Sequence, residues 1–204
     1  AENAKVRVAY LLADSMLPAI YAQDKGYFAA AGLDIEFIAV QGGPAVVAAL
    51  ASGDADIGYS AFVPPINARI GGVPLKLFLV LSHEAAPDHE FTFLTASKAS
   101  GITDMAGLKG KKIAASFGTI NHLYILAILE KAGLKPDDVT LVNTPPPDMT
   151  VALLAKGIDA FVGWDPWPII AQKDVPGAYE VLRGGNLIAY LGFAVTLRSW
   201  VDKN

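Results

Sequence analysis

The 204-residue sequence predicts an α/β protein of two lobes, each a mainly parallel sheet flanked by helices. Three observations carry that prediction. Short apolar runs of strand length alternate with helical periodicity from Lys5 to Leu81. A unit of proline-opened helix, glycine stop and short strand occurs twice, at Gln41–Phe62 and at Pro147–Trp167, with Gly53 and Gly157 separated by 104 residues. Its alignment needs a one-residue gap, and two similar lobes are the simplest account. Between the copies, Ser82–Glu90 is polar and proline-bearing and reads as a crossing from one lobe to the other.

The elements follow in order. Lys5–Leu12 reads as a first strand ending at Asp14-Ser15, either of which can cap a helix whose inner face holds Leu17, Ile20 and Tyr21. Gly26 ends or bends that helix, and Gly32 turns into the strand Asp34–Val40. Gly43-Pro44 opens the next helix, because proline in the first turn loses an N–H that has no partner there; Val46, Val47 and Leu50 face inward and Gly53 stops it. The strand Asp54–Tyr59 places Ser60 at its carboxyl end. A helix over Pro64–Arg69 precedes Leu75–Leu81, in an apolar piece from Val73 short enough for a buried strand.

In the second half, Phe91–Thr95 is a strand and Thr103-Asp104 caps a short helix near Gly107. Lys111–Ser116 is a strand delivering Phe117-Gly118-Thr119 to a helix over Asn121–Ala132, with Leu123, Leu126 and Leu129 on its apolar side. Val139–Asn143 is a strand; the second copy of the repeated unit follows, its helix face drawn from Val151, Leu153 and Leu154. Tyr179–Leu182 and Tyr190–Leu197 close the chain as strands, the latter returning toward the first lobe. The expected organisation is residues 1–84 for the first lobe, 85–190 for the second and 191–204 for the return strand.

Composition removes several function classes. A formal charge of −4 and scattered lysines give no basic field for nucleic acid. The absence of cysteine excludes disulfide scaffolds, thiolate zinc sites and cysteine nucleophiles. No apolar run approaches the ~18 residues of a membrane span. Ala1-Glu2-Asn3-Ala4 reads as a mature N-terminus left by signal removal, and a cloning boundary reads the same.

Among candidate chemical residues, the turn Gly118–His122 opens a helix whose free N–H groups suit an anion, while Thr119 or Asn121 can simply cap it. The helix dipole biases His122 toward the neutral one-proton donor. Trp164, Trp167, Tyr59 and Phe62 fall at strand ends, where aromatic walls suit an organic solute; Trp167 fits helix packing better. Asp165 can pair with an ammonium group or cap a helix beginning at Pro166. Arg69, Arg183 and Arg198 lie outside these turns, so no arginine clamp is evident. His83, Glu84, Asp88, His89 and Glu90 match no metal-ligand spacing and read as a solvated crossing. There is no G-x-S-x-G elbow and no P-loop, and nothing argues for catalysis or a cofactor.

Four stretches resemble the periplasmic solute-binding proteins of ABC importers for nitrate, alkanesulfonates and taurine. They are AYLLADSMLPAIYAQDKGYFAAAGLDIEFI, GGPAVVAALASGDADIGYSAFVPPINA, ITDMAGLKGKKIAASFGTINHLYILAILEKAGL and NTPPPDMTVALLAKGIDAFVGWDPW, in that order over nearly the whole chain. The resemblance implies a two-lobed type II periplasmic-binding-protein fold with a hinge, closing over one small molecule. It implies solute contacts from Asp14, Ser15, Gln41, Gly43, Ser60, Ala61, Phe62, Ser116, Thr119, Asn121, His122, Trp164 and Asp165. It further implies a monomer outside the cytoplasm that docks on a membrane permease without inserting into the membrane. A small organic anion is the expected solute, a sulfonate first, with taurine, nitrate or an aromatic carboxylate next. Members of that family continue past the equivalent of Arg198-Ser199-Trp200, which implies that the C-terminal part of the first lobe is missing here. Two alternatives share the fold: menaquinone-route or thiamine-pyrimidine enzymes, the latter tied to a cysteine-rich motif absent here, and the effector domain of a transcription regulator, which would need a helix-turn-helix ahead of the first strand.

Overall fold

The computed structural model describes residues 2–83 and 90–204. Along the chain run β1 (Ala4–Leu11), a 3-10 turn (Asp14–Met16), α1 (Leu17–Asp24), α2 (Tyr27–Ala30), β2 (Leu33–Val40), α3 (Gly43–Ser52), β3 (Ile57–Ala61), α4 (Val63–Ile70) and β4 (Leu75–His83). Then come β5 (Phe93–Ala96), β6 (Lys112–Ala115), α5 (Ile120–Lys131), β7 (Thr140–Asn143), α6 (Pro146–Leu154), β8 (Ala160–Gly163), α7 (Trp167–Asp174), β9 (Tyr179–Arg183), β10 (Leu191–Leu197) and α8 (Arg198–Val201). The chain divides into two compact units, Ala1–His83 with Leu191–Asn204, and Glu84–Tyr190.

In unit 1 the sheet order is β2-β1-β3-β10-β4, with β1 parallel to β2 and β3, and β10 antiparallel to β3 and β4. In unit 2 the order is β7-β6-β8-β5-β9, with β6 parallel to β7 and β8, and β5 antiparallel to β8 and β9. Each sheet therefore has four strands pointing one way and a single reversed strand, in the same place. The faint repeat in the sequence is this correspondence.

One clasp occurs in both units. The Arg7 N–H donates to Asp56 Oδ2 at 2.8 Å while the Asp56 N–H donates to Arg7 O at 2.9 Å. In unit 2 the Lys112 N–H donates to Asp159 Oδ2 at 2.8 Å and the Asp159 N–H to Lys112 O at 2.8 Å. Arg7 adds its guanidinium to Asp56, Nε at 3.1 Å and Nη2 at 2.9 Å, and these bonds hold the Asp56 carboxyl below its usual range.

Packing follows strand alternation. In unit 2, Ile113 and Ala115 of β6 join Tyr124, Ile125, Ile128 and Leu129 of α5, while Ala114 joins Met149, Leu153 and Phe161 on the other face. In unit 1, α3 lies so close on β3 that a Cβ at Gly58 would sit 2.4 Å from Val46 Cγ1.

Several expectations are corrected. Leu17, Ile20 and Tyr21 are exposed, because α1 meets the Asp14–Met16 turn and α2, leaving its apolar stripe in solvent. Neither Asp14 nor Ser15 caps that helix, whose N-cap is Met16 without a side-chain bond. On α5 Leu129 is buried as expected, but Leu123 is exposed and Leu126 half-buried, the inner face running through Tyr124, Ile125 and Ile128; on α6, Val151 and Leu154 face solvent while Met149 and Leu153 are buried. Ser60 lies inside β3. The strand expected to be buried after Val73 is the edge strand β4, paired on one side by β10, so Phe78–Leu81 are half-exposed. Ser82 and His83 belong to β4, and the Glu90 carboxylate accepts the Asn186 N–H at 3.2 Å; residues 84–89 of the expected crossing, with Glu84, Asp88 and His89, lie outside the described residues.

Candidate functional site

The sequence-predicted residues gather at the carboxyl edge of each parallel set of strands, where a βα turn presents a helix N-terminus. The two groups are described unit by unit.

In unit 1, β2 ends at Val40 and Gln41-Gly42-Gly43 leads into α3, with Gln41 exposed and Gly43 buried. Gly43 must be glycine: a Cβ there would lie 2.5 Å from Pro64 Cγ and 3.1 Å from Ser60 Oγ. The first turns of α3 and α4 thus meet over the end of β3. Ser60 is fully buried and its Oγ donates to Ala61 O at 2.9 Å, a local bond, and Ala61 is buried beside it. Phe62 is the N-cap residue of α4, half-buried, with its N–H donating to Leu191 O at 3.2 Å. After β1, Asp14 is exposed and Ser15 half-buried, and the Ser15 hydroxyl bonds the Tyr59 hydroxyl across the sheet end.

In unit 2, β6 delivers Ser116, which is buried and whose carbonyl accepts from Thr119 Oγ1 at 2.6 Å. Thr119 is the N-cap of α5, its Oγ1 accepting the Asn121 N–H at 3.2 Å. Thr119 O takes the His122 and Leu123 N–H groups at 3.2 and 3.4 Å. Of the first-turn donors, the Ile120 N–H has no acceptor among the described residues. Asn121 is buried, and its Nδ2 donates to Val162 O at 3.2 Å; its Oδ1 has no partner among the described residues. Both side chains expected as solute donors thus have internal work: Thr119 caps the helix and Asn121 ties it to β8.

His122 stacks on Phe117, with ring centroids 4.4 Å apart and planes 9° from parallel. Phe117 is itself held by its N–H donating to Asn143 Oδ1 at 3.0 Å. Burial pushes the His122 pKa down, so at neutral pH the imidazole is uncharged and offers one N–H. Trp164 is buried at the end of β8, and Trp167 packs against the α6–α7 core. Asp165 is not a helix cap: α7 has Pro166 as its N-cap residue with no side-chain bond.

The arginines stay out of these turns. Arg7 holds Asp56, Arg69 donates to Leu75 O at 2.7 Å, and Arg183 pairs with Glu180 over the Phe93 ring. Among the described residues no cluster of three or more histidines and carboxylates could hold a metal ion, and no helix is long and apolar enough to cross a membrane. Sequence reasoning missed Ser82, Gly192 and Asn143, which act through partners far along the chain; no local pattern marks them.

Residues 14–174 match the family described as NMT1/THI5 like. The chain is 32% identical over 202 residues to the taurine-binding periplasmic protein of Escherichia coli K12, covering 98% of this chain and 59% of that protein. It is 35% identical over 150 residues to the 4-amino-5-hydroxymethyl-2-methylpyrimidine phosphate synthase THI11 of Saccharomyces cerevisiae, covering 72% of this chain and 42% of that one. The alkanesulfonate-binding protein SsuA from Xanthomonas axonopodis pv. citri, solved bound to MOPS, superposes with a TM-score of 0.84 at 28% identity, covering all of this chain and 68% of its own. The chain spans about half the length of the curated relatives it matches.

Proposed function

Because the chain belongs to the NMT1/THI5-like family, we propose that it is the solute-binding component of an ABC importer, working outside the cytoplasm. Its solute is a small organic anion, an alkanesulfonate first, with taurine, nitrate or an aromatic carboxylate next, and it is bound without chemical conversion. The observation that carries this reading is the first turn of α5. There a capped helix N-terminus, an Ile120 N–H without an acceptor among the described residues and an uncharged imidazole offer neutral donors and a partial positive charge, with no arginine or lysine in that turn. Such a seat suits one compact, singly charged oxyanion better than a polyphosphate. The sulfonate- and taurine-binding relatives support the same class.

The synthase from yeast favours a second reading, an enzyme of pyrimidine synthesis. Against it stands the lack of any cysteine, the residue type of the motif associated with those enzymes.

Thermal unfolding with ethanesulfonate, hexanesulfonate, taurine, nitrate, bicarbonate and benzoate separates the readings. A solute at a hundred times its Kd adds about 2.7 kcal/mol, a rise of about 5–10 °C for a chain of this size. One compound raising the melt, with the rise reduced in His122→Ala, supports the binding protein. A cooperative melt that none of them moves overturns the small-anion reading.

A further inference from the structure

We propose that Tyr59 and Ser82 are positioning residues for Ser15, joined to it in one chain of hydroxyls that aims the Ser15 proton at the solute. This rests on the reading of Ser15 as a solute contact. The Tyr59 hydroxyl bonds the Ser15 hydroxyl on one side and lies 3.2 Å from Ser82 Oγ on the other. These residues come from three separate elements: the turn after β1, strand β3 and the end of β4.

The fold makes room for this chain at some cost in sequence freedom. Tyr59 is 1% exposed, and a buried phenol needs a partner for its hydroxyl. Strand alternation puts Tyr59 on the sheet face opposite Ser60, in register with Ala194 of β10. Two residues earlier on β10, Gly192 is in register with Ser82. A Cβ at Gly192 would lie 2.3 Å from Ser82 Oγ and 2.7 Å from Tyr59 Oη, so glycine leaves the hydroxyls their place.

A hydroxyl carries one proton and two lone pairs, so a chain of three has a direction. If Ser82 donates to Tyr59 and Tyr59 to Ser15, the Ser15 proton is left to donate outward, strengthened by the bonds behind it. An anionic oxygen selects that direction. Without Tyr59, the Ser15 hydroxyl is half-exposed and free to turn to water. The chain thus supplies a pre-aimed neutral donor in unit 1.

The test is calorimetric titration of ethanesulfonate, hexanesulfonate and taurine into the full chain and its variants. Tyr59→Phe keeps the ring that fills the core and removes only the hydroxyl. For whichever probe binds, Tyr59→Phe and Ser15→Ala should each weaken it about 3- to 10-fold, as expected for one hydrogen bond. The double variant should bind no more weakly than Ser15→Ala alone, and Ser82→Ala should weaken the probe in the parent but not in Tyr59→Phe. A Tyr59→Phe variant that melts lower yet binds with unchanged Kd overturns the proposal, since a packing role alone predicts that result. Equal further weakening by Tyr59→Phe in the Ser15→Ala background overturns it as well. If the parent binds none of the three, the sulfonate reading itself fails and the inference falls with it.

Discussion

Replacing Asn121 by alanine should destabilise unit 2. β6 stops at Ala115, and its last pair with β8 is Ala114 with Phe161. Beyond that point Val162 has no β6 partner, and the Asn121 amide takes up its carbonyl at 3.2 Å. Alanine leaves that carbonyl buried without the donor, which costs about 1–3 kcal/mol. With a urea slope near ~2 kcal/mol per molar, the unfolding midpoint should fall by about 0.5–1.5 M. Fluorescence can follow unit 2 alone, because Trp164 and Trp167 lie there while Trp200 lies in unit 1, so the measurement is made in Trp200→Phe. Asn121→Asp should cost at least as much at pH 7, since a carboxylate cannot donate to the carbonyl and sets acceptor against acceptor. Asn121→Leu should cost less than alanine: it keeps volume and removes an Oδ1 that has no partner among the described residues. A midpoint unchanged in Asn121→Ala, together with weaker solute binding, would refute the structural role and return Asn121 to the solute.

Burial holds the His122 pKa below its unfolded value, so the unfolded chain takes up a proton first; the solute-free protein should lose stability as pH falls below about 6.5, and His122→Gln should remove that dependence. A bound anion reverses the preference, so affinity for a sulfonate should rise as pH falls through the His122 pKa, measured by titration between pH 5 and 8, and should be flat in His122→Gln. The Asp56 carboxyl is held low by the Arg7 hydrogen bonds, so its contribution is present above about pH 4 and lost as pH falls further; acid unfolding of Asp56→Asn should show a shallower loss there. Gly58→Ala drives a methyl into Val46 and Leu50, at 2.4 and 3.1 Å, and should cost about 1–3 kcal/mol, visible as a melt about 2–4 °C lower per kcal/mol and partly recovered by Val46→Ala.

The elements of this fold were legible because its punctuation is local. Gly53 sits at φ 81° and Gly133 at φ 70°, where a side chain would strain the backbone, and both end helices where the sequence places the stop. Which face of each helix turns inward was less legible. The apolar residues of α1 line up at helical spacing yet stay in solvent, because spacing fixes a stripe and only the neighbouring elements decide whether it is covered. For the candidate site, Gly43, Thr119 and His122 stand in the turns and first helical turns after β2 and β6, where the sequence puts them, while Ser60 lies inside β3. The work each does was not legible. Thr119 and Asn121 spend their polar groups on Ser116 and Val162, and the Asn121 partner is 41 residues away. Ser82 reaches Tyr59 from 23 residues off, a pairing made by sheet order alone.

The position of the candidate residues depends on the two aspartates at the other end of the strands. In a parallel pair, a slip of one residue would turn every side chain to the opposite face. Asp56 and Asp159 each exchange two hydrogen bonds with the partner strand just before pairing begins, at Val8 with Ile57 and at Ile113 with Ala160. Register is thus set at the amino edge, and the carboxyl edge inherits it. Ser60 comes four residues after Asp56, and Gly163, just before Trp164, comes four after Asp159. From there the units diverge. In unit 1 the starts of α3 and α4 meet at the strand end, with Ser60 buried beneath them and Tyr59 tied to Ser15. In unit 2 the end of β8 is tied by Asn121 to α5, which Thr119 caps. The shared clasp fixes where each edge lies, and the residues that follow it decide what each edge can hold.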